Sequence, residues 1–261
     1  MKREAMRIGI ACLLSVLMMA CSTSDEKNAK LQIWLTDAPG DFASVNIDVQ
    51  SLEVHVGDDE SDAGWKTISV NKGVYNLIDL TNGLDTLLGE LELPAGKISQ
   101  VRLKLGAHNS IALRTGDVFD LSTPSAQQSG LKLLVNETLT AGITYKLLLD
   151  FDVARSIVLT GNGSYKLKPV IRAITKAEDG AIKGIVTPAA ATPAIYAILN
   201  SDTLRTTYAD STGAFMIRGL ASGSYLVSFS PNSNYQPVEK TNVSVSIGTV
   251  TNMGTIEIAA K

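Results

Sequence analysis

The chain has 261 residues, 45% hydrophobic and 19% charged, enough apolar material for one large or two ordinary packed domains and against global disorder. Its formal net charge is −3, and becomes −5 if residues 1–20, with Lys2, Arg3 and Arg7 against Glu4, are removed. A mildly acidic body has no electrostatic pull on phosphate backbones or anionic lipid, so nucleic acid is not an expected partner.

Lys2, Arg3 and Arg7 form a positive start, and Ile8 to Ala20 is a run of 13 residues without a charge. That run is short of the roughly 20 apolar residues needed to cross a bilayer and suits the apolar region of a signal peptide. Leu17-Met18-Met19-Ala20-Cys21 resembles the lipobox of bacterial lipoproteins, with Met18 where Leu is usual. The resemblance implies cleavage after residue 20 and acylation of Cys21 by lipid such as palmitate. Cys12 would leave with the leader, so the mature chain would keep no thiol for a disulfide or a thiolate metal site. Residues 21–29 read as a lipidated flexible tether. Its Ser24-Asp25-Glu26 segment is similar to the acidic export signal of surface lipoproteins in the Bacteroides group, and a plain solvated linker is the alternative. Ser22 after the cysteine resembles outer-membrane sorting, so the expected location is the outer membrane, on the cell surface or on its periplasmic face.

Residues 30–176 alternate with period two, the pattern of half-buried strands. Leu31, Ile33 and Leu35 share one face; Val45, Ile47 and Val49 share the next. Leu52, Val54 and Val56 then continue with opposite parity, which predicts a β-bulge. A short helical turn is predicted within Leu84 to Leu93, bounded by Asn82-Gly83 and Pro94. Val101, Leu103 and Leu105 alternate with Gln100, Arg102 and Lys104, and Ile143 to Phe151 alternates over a longer strand. Turn signals at Pro39-Gly40, Pro94-Ala95-Gly96, Ser129-Gly130 and Gly161-Asn162-Gly163 punctuate the runs. The expected fold is all-β, an antiparallel β-sandwich.

Leu35-Thr36-Asp37-Ala38-Pro39, Val54-His55-Val56, Trp65, Leu93-Pro94-Ala95-Gly96, Pro124-Ser125, Gly130-Leu131-Lys132, Asp150-Phe151-Asp152 and Leu167-Lys168-Pro169-Val170 occur in that order. Together they resemble a domain of unknown function of the family 4382 type, found in exported bacterial and archaeal proteins. The resemblance implies an immunoglobulin-like or related sandwich and no established activity.

Lys176 to Gly180 is a polar break, and residues 180–261 form the expected second domain. Asp210-Ser211-Thr212-Gly213 leads into Ala214 to Ile217, and Gly219 to Tyr225 leads into Leu226 to Phe229. With Ile182 to Val186 as a first strand, this segment resembles the carboxypeptidase regulatory-like domain, a small transthyretin-like or immunoglobulin-like sandwich. Gly213 and Gly223 sit where tight turns call for positive φ. That family is non-catalytic and serves as a spacer or docking module.

Chemistry is sparse. No phosphate-binding loop, dinucleotide fingerprint or Gly-x-Ser-x-Gly elbow occurs, so no catalytic residue is assigned and an enzyme is not expected. His55, between Val54 and Val56, reads as a partly exposed strand residue, and His108 as a loop residue. Asp150 and Asp152 share a strand face, and Asp37 and Asp41 bracket the Pro39-Gly40 turn, so the four carboxylates are a candidate calcium site if the turn packs beside the strand. Turn capping and solvation are the alternative, and a glycosidase acid and base at Asp150 and Asp152 is a more distant one. Trp34, Trp65 and Tyr235, with Tyr208, are the candidate sugar-stacking aromatics, against core or edge packing. The expected role is a non-catalytic, membrane-anchored binding module with glycans as the leading ligand. The alternative is a structural or adhesin-like accessory subunit of an outer-membrane complex.

Overall fold

A computed structural model describes residues 27–38, 40–57 and 62–261. The leader, Cys21 and most of the tether lie outside the described residues. Among those described, the chain is nearly all β, and no helix is long and apolar enough to cross a membrane.

The first part of the chain forms β1 (Asn28–Ala38), β2 (Ser44–Val56), β3 (Trp65–Val70), β4 (Gly73–Asn76), β5 (Thr86–Pro94) and β6 (Gly96–Leu105). Then come β7 (Ser110–Ala112), β8 (Val118–Ser122), the short helix α1 (Pro124–Gln128), β9 (Leu131–Leu139) and β10 (Thr144–Asp152). A second short helix, α2 (Val153–Ser156), leads to β11 (Ile157–Leu159), β12 (Tyr165–Leu167) and β13 (Ile171–Ala177). One layer runs β13-β10-β1-β5. The other holds β9, β6 and β2 and continues through β7 and β8 to β12 and β11. β3 joins the layers along one side: its first residues pair with β2, and Ser69 and Val70 pair with β5. Pairing is mostly antiparallel, with β1 parallel to β10 and β8 parallel to β12.

The alternating side chains explain the layers. Leu31, Ile33, Leu35, Leu147, Leu149 and Phe151 of one sheet meet Val45, Ile47, Leu52, Val54, Val101 and Leu103 of the other in a continuous buried core. The bulge in β2 lies where the alternation shifts: its register against β6 breaks between Val49 and Ser51, which keeps Val49 and Leu52 both inward. The helical turn expected within Leu84 to Leu93 is strand β5 instead. Pairing with β1 on one edge and β3 on the other gives those backbone groups partners that an isolated turn would lack, and Leu88 and Leu93 enter the core.

Beyond residue 179 the strands are β14 (Gly180–Thr187), β15 (Ala194–Leu199), β16 (Asp202–Tyr208), β17 (Ala214–Leu220), β18 (Gly223–Ser230), β19 (Val238–Val245) and β20 (Val250–Glu257). They make a three-stranded sheet, β17-β14-β20, and a four-stranded sheet, β16-β15-β18-β19. Ile182, Phe215, Ile217, Tyr225, Val227 and Phe229 fill a second core, with Phe215 and Phe229 in an edge-to-face contact at 5.5 Å. Gly213 has φ +87°, and a Cβ there would stand 2.2 Å from the Val186 carbonyl oxygen, so the turn before β17 requires glycine. Ahead of the next turn the left-handed residue is Gly219, near the end of β17, not Gly223.

Candidate functional site

Parity along β2 assigns Asp48 to the face opposite Ile47 and Val49, where solvent is expected, yet it is buried. The segment between β6 and β7 folds over it. Gly106 N–H donates to the Asp48 carbonyl at 2.7 Å, and Asp48 N–H donates to Asn109 Oδ1 at 2.9 Å. Asn109 Nδ2 donates to the Gly106 carbonyl at 2.7 Å and to Thr123 Oγ1 at 3.4 Å, and Gln127 of α1 donates to that same hydroxyl at 3.1 Å. A Cβ at Gly106 would come within 2.1 Å of Asp48 Oδ2, so only glycine lets the loop close this tightly.

Inside this loop the Asp48 carboxylate accepts from Gln50 Nε2, from His108 N–H at 3.2 Å and from His108 Nδ1 at 3.1 Å. Burial alone would raise its pKa; the Gln50 and His108 donors outweigh burial and hold the carboxyl below its usual range. The Asp48 side chain is 4% exposed and that of His108 is 85% exposed. A buried carboxylate thus fixes one ring nitrogen and turns the rest of the imidazole to solvent, the arrangement by which a second residue orients a functional histidine.

His108 stands between two adjoining open clefts. One, of about 680 Å³, is lined by Asn109, Ser110, Asp120, Ser122, Gln127 and Tyr165 among others, and Tyr165 rests against Phe119 at 4.9 Å. The other, of about 570 Å³, has Gln50, Ser51, Lys72, Lys104 and Gln127 on its walls beside Asp48. Hydroxyl, amide and charged groups alternate with apolar surface from Leu105, Ala107 and Leu121, which is a chemistry of directional hydrogen bonds beside apolar contact.

The four aspartates expected to gather around one cation are separated by strand parity. Asp37 is level with Phe151 in the parallel β1–β10 pair and shares its inward side, whereas Asp150 and Asp152 are level with Thr36 and Ala38 on the other side. Asp37 is 5% exposed; its Oδ1 accepts from Val153 N–H at 3.1 Å, and among the described residues its Oδ2 has no hydrogen-bond partner. Burial, reinforced by the Asp150 and Asp152 charges and opposed by the Val153 N–H, pushes its pKa up to about 7. Asp150 pairs with Arg172 at 2.6 Å, Asp152 accepts from Arg155 N–H at 3.1 Å as the cap of α2, and Asp41 pairs with Arg114. Among the described residues no group of three or more His, Cys, Asp or Glu side chains could hold a metal ion.

The aromatic residues also disperse. Trp34 lies on the outward side of β1 with the Lys146 ammonium 4.4 Å from its ring centre, and Lys146 is paired with Asp85. Trp65 has the Arg102 guanidinium 3.9 Å from its ring centre, and Arg102 is held by Glu53 at 2.8 Å. Each tryptophan therefore has a cation over its ring. Tyr235 packs against the second core and forms a bridge with Ala260, while Tyr208, 69% exposed, lies on the edge strand β16. His55 is buried rather than partly exposed. Trp65 lies edge-on to it at 5.0 Å, and Gly64 leaves room for the ring where a Cβ would stand 2.4 Å from Nε2.

Asp48, Asn109 and Gln127 did not stand out in the sequence. The available signal was an acid at an outward position of an otherwise apolar strand, with Gly106-Ala107-His108-Asn109 elsewhere in the chain to meet it.

No curated protein matches the chain. Among solved structures, a type II cohesin–X-dockerin complex from Acetivibrio cellulolyticus is similar at 24% identity over 31% of this chain and 58% of that one, with a TM-score of 0.25. The Bacillus anthracis TIE protein is similar at 11% identity over 88% of this chain, with a TM-score of 0.23; this chain spans 34% of its length. BcpA, the major pilin subunit of Bacillus cereus, is similar at 11% identity over 90% of this chain and 71% of that one, with a TM-score of 0.28. Residues 28–169, more than half of the chain, match the family described as Domain of unknown function (DUF4382). The chain belongs to that family.

Proposed function

We propose that this protein is a non-catalytic binding module, held at the outer membrane by lipid on Cys21, that takes a carbohydrate in the cleft around His108. The observation that carries the reading is the lining of that cleft. His108, Gln127, Ser110, Ser122 and Asp120 supply donors and acceptors in the planar and hydroxyl forms that match sugar hydroxyls, and Tyr165 supplies an aromatic surface. The Asp48–Asn109–Thr123–Gln127 network fixes His108 and Gln127 before a ligand arrives, which reduces the ordering cost of binding. Trp34, Trp65 and Tyr235 are poorer platforms, because cations stand over the two tryptophan rings and Tyr235 is packed on the core.

Calorimetric titration of the protein against a panel of soluble polysaccharides tests the reading. Binding is expected, with His108→Ala and Gln127→Ala each weakening it about tenfold at an unchanged melting temperature. A clean negative across the panel would sink the carbohydrate assignment. Metabolic labelling with a fatty-acid probe tests the anchor: the wild type is expected to carry the label and Cys21→Ala to be released from membranes.

A structural, adhesin-like accessory role is the second reading, with residues 180–261 as a carboxypeptidase regulatory-like spacer. The junction between the two cores favours it: Thr144 N–H donates to Asp179 Oδ1 at 2.8 Å, Gly248 N–H donates to the Asp179 carbonyl at 2.8 Å, and Ala181 and Met216 pack on the first core. Co-purification of a stoichiometric outer-membrane partner from detergent extracts would favour this reading over the first.

A further inference from the structure

We infer that the sugar taken by the His108 cleft is acidic, a uronate unit whose carboxylate is received between Lys72 and Lys104. This rests on the carbohydrate reading of the same cleft and narrows its ligand. The half of the cleft on the β2–β6 side is walled by Lys72, Lys104, His108, Gln50 and Ser51, with Asp48 as its one acid. Asp48 keeps its negative charge, but its oxygens are not open to a ligand. It is buried, and Gln50 with the main chain and ring of His108 occupy its oxygens. The two lysines are exposed, and among the described residues neither is ion-paired. Two ammonium groups against the single charge of Asp48 leave this cleft net positive, in a chain of net charge −3.

Lysine suits this task. Its ammonium is a compact point charge on a flexible stem, able to meet one carboxylate oxygen while neighbouring amides and hydroxyls meet the ring hydroxyls. Asp120 lines the other half of the cleft, beyond His108, so the two halves differ in sign. The attraction operates in open water, so it weakens as salt rises.

Affinity electrophoresis of the full-length protein through gels containing polygalacturonate, dextran or dextran sulfate tests the inference. Polygalacturonate is expected to retard the wild type with at least tenfold higher affinity than either other polymer. The Lys72→Gln/Lys104→Gln double variant is expected to lose most of that advantage at an unchanged melting temperature. Equal retardation by dextran and polygalacturonate, indifferent to the double variant, would overturn the acidic-sugar assignment and leave the carbohydrate reading standing. Dextran sulfate bound as tightly as polygalacturonate would overturn the choice of a uronate. Retardation by none of the polymers would remove the carbohydrate reading and this inference with it.

Discussion

Asp37 shows what burial does to one carboxyl group. Its pKa is pushed up to about 7 against an ordinary 3.8, so between about pH 4 and pH 7 the folded chain holds a proton that the unfolded chain has released. Stability therefore falls as pH rises through that window and stays lower above it. At about 1.4 kcal/mol per pH unit across that window, the contribution is on the order of 4 kcal/mol. Urea unfolding at pH 5 and pH 8 should show the wild type losing stability at the higher pH, and Asp37→Asn should flatten that difference. At Asp48 the constraint is space. Gly106→Ala would force the new Cβ and the carboxylate apart from a 2.1 Å approach, with an expected loss of about 2 kcal/mol in the same unfolding measurement. His108, held only at the rim, should be replaceable by alanine at a cost of less than about 1 kcal/mol.

Strand β2 concentrates the information at the level of elements. Its bulge lets one strand keep Val45, Ile47 and Val49, then Leu52 and Val54, on one core. Deleting Gln50 would remove the extra residue and turn the second set toward solvent. The expected outcome is loss of soluble, folded protein, seen as a collapsed β signal in circular dichroism, whereas Gln50→Ala should fold. The bulge was readable from alternation alone because side-chain parity is a local property. Strand β5 was not, since its neighbours β1 and β3, which decide it, are distant in sequence. The burial of His55 depended likewise on Trp65 and Gly64 arriving across the β2–β3 pair.

Across the whole molecule, two hydrophobic cores meet at a packed junction. Met216 and Val250, borne on the strands beyond residue 179, pack against the first core, and a Cβ on Gly142 would stand 2.6 Å from Met216 Sδ. Arg218 approaches Glu92 at 3.9 Å across the same boundary. Scanning calorimetry of the intact chain should give one overlapping transition, because exposing either face of the junction costs buried apolar area. Met216→Glu should split it into two peaks by placing a charge against Gly142 and Ala181. Two fully separate peaks in the wild type would show that the junction does not couple the cores.

Composition and period-two alternation determined the all-β class, the inward face of most strands and the bulge in β2, because each depends on residues that are neighbours in the chain. Tertiary structure alone decided the site. Asp48 and His108 lie 60 positions apart and meet only because β6 pairs with β2 and the following loop returns across it. Folding likewise separated Asp37 from Asp150 and Asp152, by setting parallel β1 and β10 in a register that turns their carboxylates to opposite sides of one sheet.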